Sequence, residues 1–126
     1  QKWMVHYKGQ IASPEDGTYR FLGNSDDFVV VAVNGTTVLV AEMPNTPMGV
    51  KWFAKEGPPK DYQAAGDWVN FRAGEPVDID IVTGESPGGQ FRCILAIQKR
   101  GGPILPFQLS VSKQTPAGAR PWRGIP

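Results

Sequence analysis

Two aspartates stand side by side in "FLGNSDDFVVVAVNG", Phe21 to Gly35. Asp26 and Asp27 separate one apolar, strand-like run from a more apolar one. Adjacent residues on a strand point to opposite faces, so two carboxylates serving one site require the backbone to bend there. Like charges a few ångströms apart repel, and one of them is driven toward protonation unless a cation joins the pair. Ca²⁺ takes about six to eight oxygens, and carboxylates on a tight bend, loop carbonyls and water suit it. The other reading of "NSDD" is turn chemistry, with the carboxylates capping backbone N–H groups. The residues alone leave both open.

Other groups with chemical potential are sparse. Asp78 and Asp80 fall on one face of "VDIDIVTG", roughly 6–7 Å apart by strand rise, a spacing that glycosidase carboxylates can have. Alternation with Val77, Ile79 and Ile81 explains them equally as the wet face of a strand. His6 is the only histidine, and it alternates within a strand-like run, so a nucleophile–histidine site has little to build on. Cys93 is the only cysteine; within "FRCILAI" it reads as a small buried hydrophobe. No histidine and cysteine cluster offers zinc four ligands. No Gly-rich loop is followed by the lysine and helix that a phosphate site needs. These absences argue against an enzyme.

The elements that must position the aspartates are strands. "KWMVHYKGQIA" alternates, with Trp3, Val5 and Tyr7 on one face and Met4, His6 and Lys8 on the other. "SPEDG" turns the chain, and "TYRFLG" alternates again. In "DFVVVAVNGTTVLVAEM" two β-branched runs flank Asn34-Gly35, a type I′ hairpin signal because both central residues need positive φ. The continuous apolarity of Phe28–Val33 predicts a strand covered on both faces. Residues 43–66 read as a long loop with a short strand at Val50–Phe53. "DWVNF", "VDIDIVTG", "QFRCILAIQ" and "ILPFQLSVS" supply the remaining strands. No segment has a helical period, and the chain contains no internal repeat.

The 126 residues fit one domain, and a chain of this length buries roughly two-thirds of its unfolded surface. Fifteen glycines and twelve prolines accompany an apolar fraction of 40%. That combination fits turn-rich all-β architecture and is too apolar for disorder. Hairpins without βαβ units predict two antiparallel sheets packed face to face, a β-sandwich, over residues 1–112. "KQTPAGARPWRGIP", residues 113–126, reads as a Pro/Gly-rich tail or linker. A net charge of +1 with no basic stripe argues against nucleic acid and anionic membrane as partners. No apolar run is long enough to be inserted through a membrane as a helix. Met is not the first residue, and the chain reads as a fragment of something longer.

"GTYRFLGNSDDFVVVAVNGTTVLV", Gly17–Val40, resembles the core of the protective-antigen-type (PA-fourteen) domain. That family is marked by Gly-x-Tyr-x-Phe, then Ser-Asp-Asp, an apolar strand and an Asn-Gly or Asp-Gly hairpin. "FRAGEPVDIDIVTGESPGGQFRCILAI", Phe71–Ile97, agrees in order with the family's second half. The resemblance spans Trp3 to Gln98; residues 99–126 lie outside it. It implies an antiparallel β-sandwich used as an accessory module in secreted, periplasmic or cell-surface proteins. In adhesins similar to this family, an Asp-Asp pair with a cis peptide binds Ca²⁺, which holds sugar hydroxyls. The matching positions are Asp26 and Asp27. A second calcium loop would fall at Thr83–Gly89, where this chain has Glu85 and no Asn. The residue after the pair, commonly Gly, is Phe28.

The resemblance therefore implies a non-catalytic carbohydrate-binding or adhesion module, Ca²⁺-assisted through Asp26, Asp27 and Glu85. Trp52, Tyr62 and Trp68, in or beside the long loop, are the candidate aromatics for covering a sugar ring; packing over the end of the sandwich is their other reading. The alternative is a structural or protein-interaction domain. There the aspartates serve only turn stability, and the partner is a neighbouring domain of the parent protein or a second copy.

Overall fold

A computed structural model describes residues 3–42, 49–85, 92–107 and 123–125. Asn34 and Gly35 have φ of 49° and 81°, the two left-handed positions of a two-residue hairpin loop. They join β3 (Phe28–Val33) to β4 (Thr36–Glu42). Valines dominate both strands because a β-branched side chain packs well on a pleated surface. The expected cover on both faces of β3 is only partial. Val29, Val31 and Val33 are buried, while Val30 and Ala32 are half-buried.

The other strands are β1 (Trp3–Ala12), β2 (Gly17–Asp26), β5 (Ala64–Ala65), β6 (Val69–Phe71), β7 (Val77–Glu85), β8 (Arg92–Lys99), β9 (Ile104–Pro106) and β10 (Arg123–Ile125). They form two antiparallel sheets ordered β10-β1-β7-β3-β4 and β5-β2-β8-β9, with β6 also on β2. No helix occurs among the described residues, so none there is long and apolar enough to cross a membrane. Between the sheets lie Phe21, Val29, Val31, Leu39, Ile79 and Ile97, each nearly inaccessible to water. Fully burying such a side chain contributes about 1.5–3 kcal/mol, which makes this shared interior the main support of the fold.

Two local features depart from plain alternation. The register of β3 on β4 shifts between Val31 and Ala32. This bulge lets the neighbours Val38 and Leu39 both reach the core, at 5% and 0% exposure. In the long loop, Ala64-Ala65-Gly66-Asp67 bridges the two sheets along one side of the sandwich. Gly66 N–H donates to Phe21 O at 2.7 Å and Asp67 N–H to Val38 O at 2.8 Å. The bridge adds β5, which two alanines do not announce in a sequence. Val50–Phe53, expected as a strand, has no sheet partner; Trp52 N–H instead donates to Val50 O at 3.0 Å.

Residues 123–125, within the expected tail, pair as β10 with Gln10–Ala12 of β1. Residues 113–122 lie outside the described residues.

Candidate functional site

β2 belongs to one sheet and β3 to the other, and Asp26-Asp27 is the point where the chain changes sheets. Both aspartates are half-buried, and the peptide bond between them is cis. The turn is held by groups on three segments. Ser25, fully buried, donates its hydroxyl to Phe28 O at 3.0 Å, spanning the pair. Thr83 Oγ1 donates to the same carbonyl at 2.9 Å. Asp27 N–H donates to Gly84 O at 3.0 Å. The side-chain amide of Gln63 grips the main chain of Ser25, accepting from its N–H at 2.9 Å and donating to its O at 3.1 Å.

These bonds fix the main chain on both sides of the aspartates. The closing groups named here are a serine, a threonine, a glutamine and backbone, so the turn has braces other than its carboxylates. In register, Arg92 stands opposite Asp26 and Glu42 opposite Phe28. Glu85 ends β7 next to Gly84, which places its backbone at the same end of the sandwich. Its side chain and most of the expected loop Thr83–Gly89 lie outside the described residues. Among the described residues, no three His, Cys, Asp or Glu side chains converge as a metal site.

The three candidate aromatics are half-buried and separately engaged. Trp52 packs against the main core and donates Nε1–H to Asp67 Oδ2 at 3.1 Å. Tyr62 packs on a smaller cluster of Leu22, Ala65 and Ala96, on the outer side of β2. Trp68 lies against two guanidinium groups, Arg20 at 4.6 Å and Arg100 at 4.7 Å from its ring centre. Its Nε1–H donates to Glu56 Oε1 at 2.7 Å. Both guanidinium groups are within cation–π distance of the ring. Arg20 is six residues before Asp26 on β2, about 20 Å of strand, so Trp68 is remote from the aspartates. The structure does not gather the three rings around one site.

Asp78 and Asp80 lie on the outer face of their sheet. Gln10 Nε2 donates to Asp78 Oδ1 at 3.2 Å, and His6 Nε2 lies 2.9 Å from Asp80 Oδ1. Each carboxylate is engaged by a cross-strand neighbour, the arrangement of a solvated sheet face. Cys93 is half-buried and packs against the core.

Sequence reasoning missed Gln63, Ser25 and Thr83 as supports of the turn. Nothing in "KDYQAAG" marks Gln63, because its partner lies 38 residues away in sequence. It also missed Phe53, which follows Trp52 and is 86% exposed.

No family model matches the sequence, and no curated protein matches it. Solved structures do share the fold. One is the PA14 sugar-binding domain from an RTX adhesin, with a TM-score of 0.60 and 20% identity over 85% of this chain. Another is the PA14 domain of the antifreeze protein MpAFP, with a TM-score of 0.58 and 15% identity over 90% of this chain. The matches span 51% and 56% of those two chains. At such identity the likeness is one of fold: this chain has the antiparallel β-sandwich fold of PA14 domains.

Proposed function

We propose that this chain is a non-catalytic carbohydrate-binding or adhesion module of a secreted or cell-surface protein, and that Asp26 and Asp27 are the polar centre of its binding end. The observation that carries the reading is the braced turn. Ser25, Gln63 and Thr83 hold two consecutive carboxylate residues at the crossing between sheets. Preorganised polar groups at the end of a rigid sandwich lower the ordering cost of binding. The fold shared with a sugar-binding PA14 domain supports the same reading.

Ca²⁺ is the cation whose chemistry suits the pair. It prefers hard oxygen ligands and tolerates irregular geometry. Asp26 and Asp27 would supply two carboxylates and Glu85 a third, with backbone carbonyls, water and sugar hydroxyls completing the shell. When bound, Ca²⁺ would offer open coordination positions to vicinal hydroxyls. Ser25, Gln63 and Thr83 hold the main chain that carries the two carboxylates. Trp52 and Trp68 serve the scaffold in this account, and Tyr62 is the candidate ring nearest the aspartates along β2.

A second reading, a protein-interaction domain, is favoured by Phe53, which stands 86% exposed in a loop with Lys51 and Lys55 on either side. A glycan array probed in Ca²⁺ and again in chelator separates the two. The proposal expects glycans bound in Ca²⁺ and released by chelator. An array blank under both conditions would overturn it and leave the protein-interaction reading standing.

A further inference from the structure

The loop before β5 holds Phe53 out in water. On one side of it Trp52 is anchored, packed against the core with its Nε1–H on Asp67 Oδ2 at 3.1 Å. On the other side Glu56 is anchored, its Oε1 accepting the Trp68 Nε1–H at 2.7 Å. Two tryptophan–carboxylate bonds of opposite direction thus clamp the loop to Asp67-Trp68. Pro58-Pro59 stiffens the stretch that follows. Between the anchors Phe53 is 86% exposed, the most exposed of the large apolar side chains described. Single apolar residues are common on protein surfaces. This one differs in being held by built contacts on both sides and flanked by cations. Lys51 and Lys55 stand on either side of it, both exposed, and Lys60 follows. Arg20 and Arg100 lie over the Trp68 ring. The carboxylates here are Glu56, Asp61 and Asp67, fewer than the cations, and tryptophan N–H groups already engage Glu56 and Asp67. Residues 43–48, which join β4 to this loop, read "MPNTPM" and bring no charge.

We infer that this loop is a docking surface and that its occupant is an acidic segment of another protein, with carboxylates facing Lys51 and Lys55 and an apolar side chain laid against Phe53. Charge complementarity selects that partner. A second copy of the chain fits poorly, because a two-fold contact through Phe53 brings the same lysines of both protomers together. A bilayer gains little from one aromatic ring, since membrane binding scales with the apolar area buried. Clamping the loop beforehand lowers the ordering cost of binding, which a contact this small requires. The surface is separate from the aspartates. Glu56 lies 4.0 Å from Arg20, and Arg20 is about 20 Å of strand from Asp26. One module can therefore hold a glycan at its end and a protein on its flank.

Selection from a random peptide library displayed on phage tests the surface. Enriched peptides should carry several Asp or Glu beside a large apolar residue. The most enriched of them, synthesised, should bind the wild-type chain and lose affinity as salt rises. Phe53→Ser, and separately the double variant Lys51→Glu/Lys55→Gln, should each weaken that binding by roughly tenfold or more. Melting curves should stay close to wild type, because all three side chains are largely exposed. No enrichment, enriched peptides without acidic residues, or binding indifferent to Phe53→Ser would overturn the inference. So would wild-type binding to phosphatidylglycerol vesicles that Phe53→Ser abolishes, which would make the partner a membrane. The glycan array reads the other end of the molecule, and neither result decides the other.

Discussion

Gln63 imitates a neighbouring strand for Ser25. Its amide oxygen accepts the Ser25 N–H at 2.9 Å and its amide nitrogen donates to the Ser25 carbonyl at 3.1 Å. One side chain thereby replaces the backbone partner that β2 lacks at its last inward position before the aspartates. Leaving one buried polar group unsatisfied costs about 1–3 kcal/mol. Gln63→Leu should therefore lower stability by about that much in urea unfolding. It should also weaken any Ca²⁺ response, since it loosens the main chain beside Asp26. Gln63→Glu keeps the acceptor and loses the donor, so it should fall between the two. A variant as stable as wild type would show that the clamp contributes nothing.

Gly66 sits where no side chain fits. A Cβ there would lie 2.5 Å from Val38 O and 2.9 Å from Phe21 O. Both obstacles are backbone, and they belong to different sheets. Gly66→Ala must pry the bridge away from one of them, at a cost of about 1–3 kcal/mol. Gly57→Ala is the control, because a Cβ at that position has nothing within 4 Å. Equal unfolding midpoints for the two variants would contradict the close approach.

Trp68 belongs to the scaffold. Arg20 and Arg100 lie over its ring, and Glu56 takes its N–H. Trp68→Ala should destabilise the chain by about 2 kcal/mol through lost packing and cation–π contact. It should leave glycan binding at native temperature unchanged. Loss of glycan binding with an intact melting transition would instead make Trp68 a ligand contact.

Lys99 gives the chain an alkaline signature. Its ammonium donates to Glu15 Oε1 at 2.7 Å, and that bond holds its pKa above the ordinary 10.5. A lysine with a raised folded pKa contributes stability that is complete below the unfolded value and fades as pH rises through the folded one. The contribution should therefore persist up to about pH 10.5 and decline above it. Comparing denaturant midpoints of wild type and Lys99→Met across that range isolates the effect from tyrosine ionisation. A difference that stayed constant with pH would refute it.

Much of this fold is legible in the residues. Asn34-Gly35 dictates its hairpin through backbone conformation alone, and strict alternation sets Asp78 and Asp80 on the wet face of β7. Local rules serve where one short window contains the cause. They fail where the cause is a distant partner. Ala64-Ala65 is a strand only because β2 offers an edge. Val38 and Leu39 both turn inward only because the register slips. Trp68 is structural because Arg20, within β2, and Arg100, just after β8, converge on it. In the candidate site the aspartates themselves were visible as a charged pair between apolar runs. Their braces, Gln63 and Thr83, are ordinary polar residues until the fold brings them together.

Calorimetric titration of Ca²⁺ into metal-stripped protein tests the central claim most directly, with the Asp26→Asn/Asp27→Asn double variant as control and its melting curve checked beforehand. The account predicts a single saturating site in the wild type and no heat beyond dilution in the folded variant. Absence of binding at millimolar Ca²⁺, or equal binding by the variant, would contradict it.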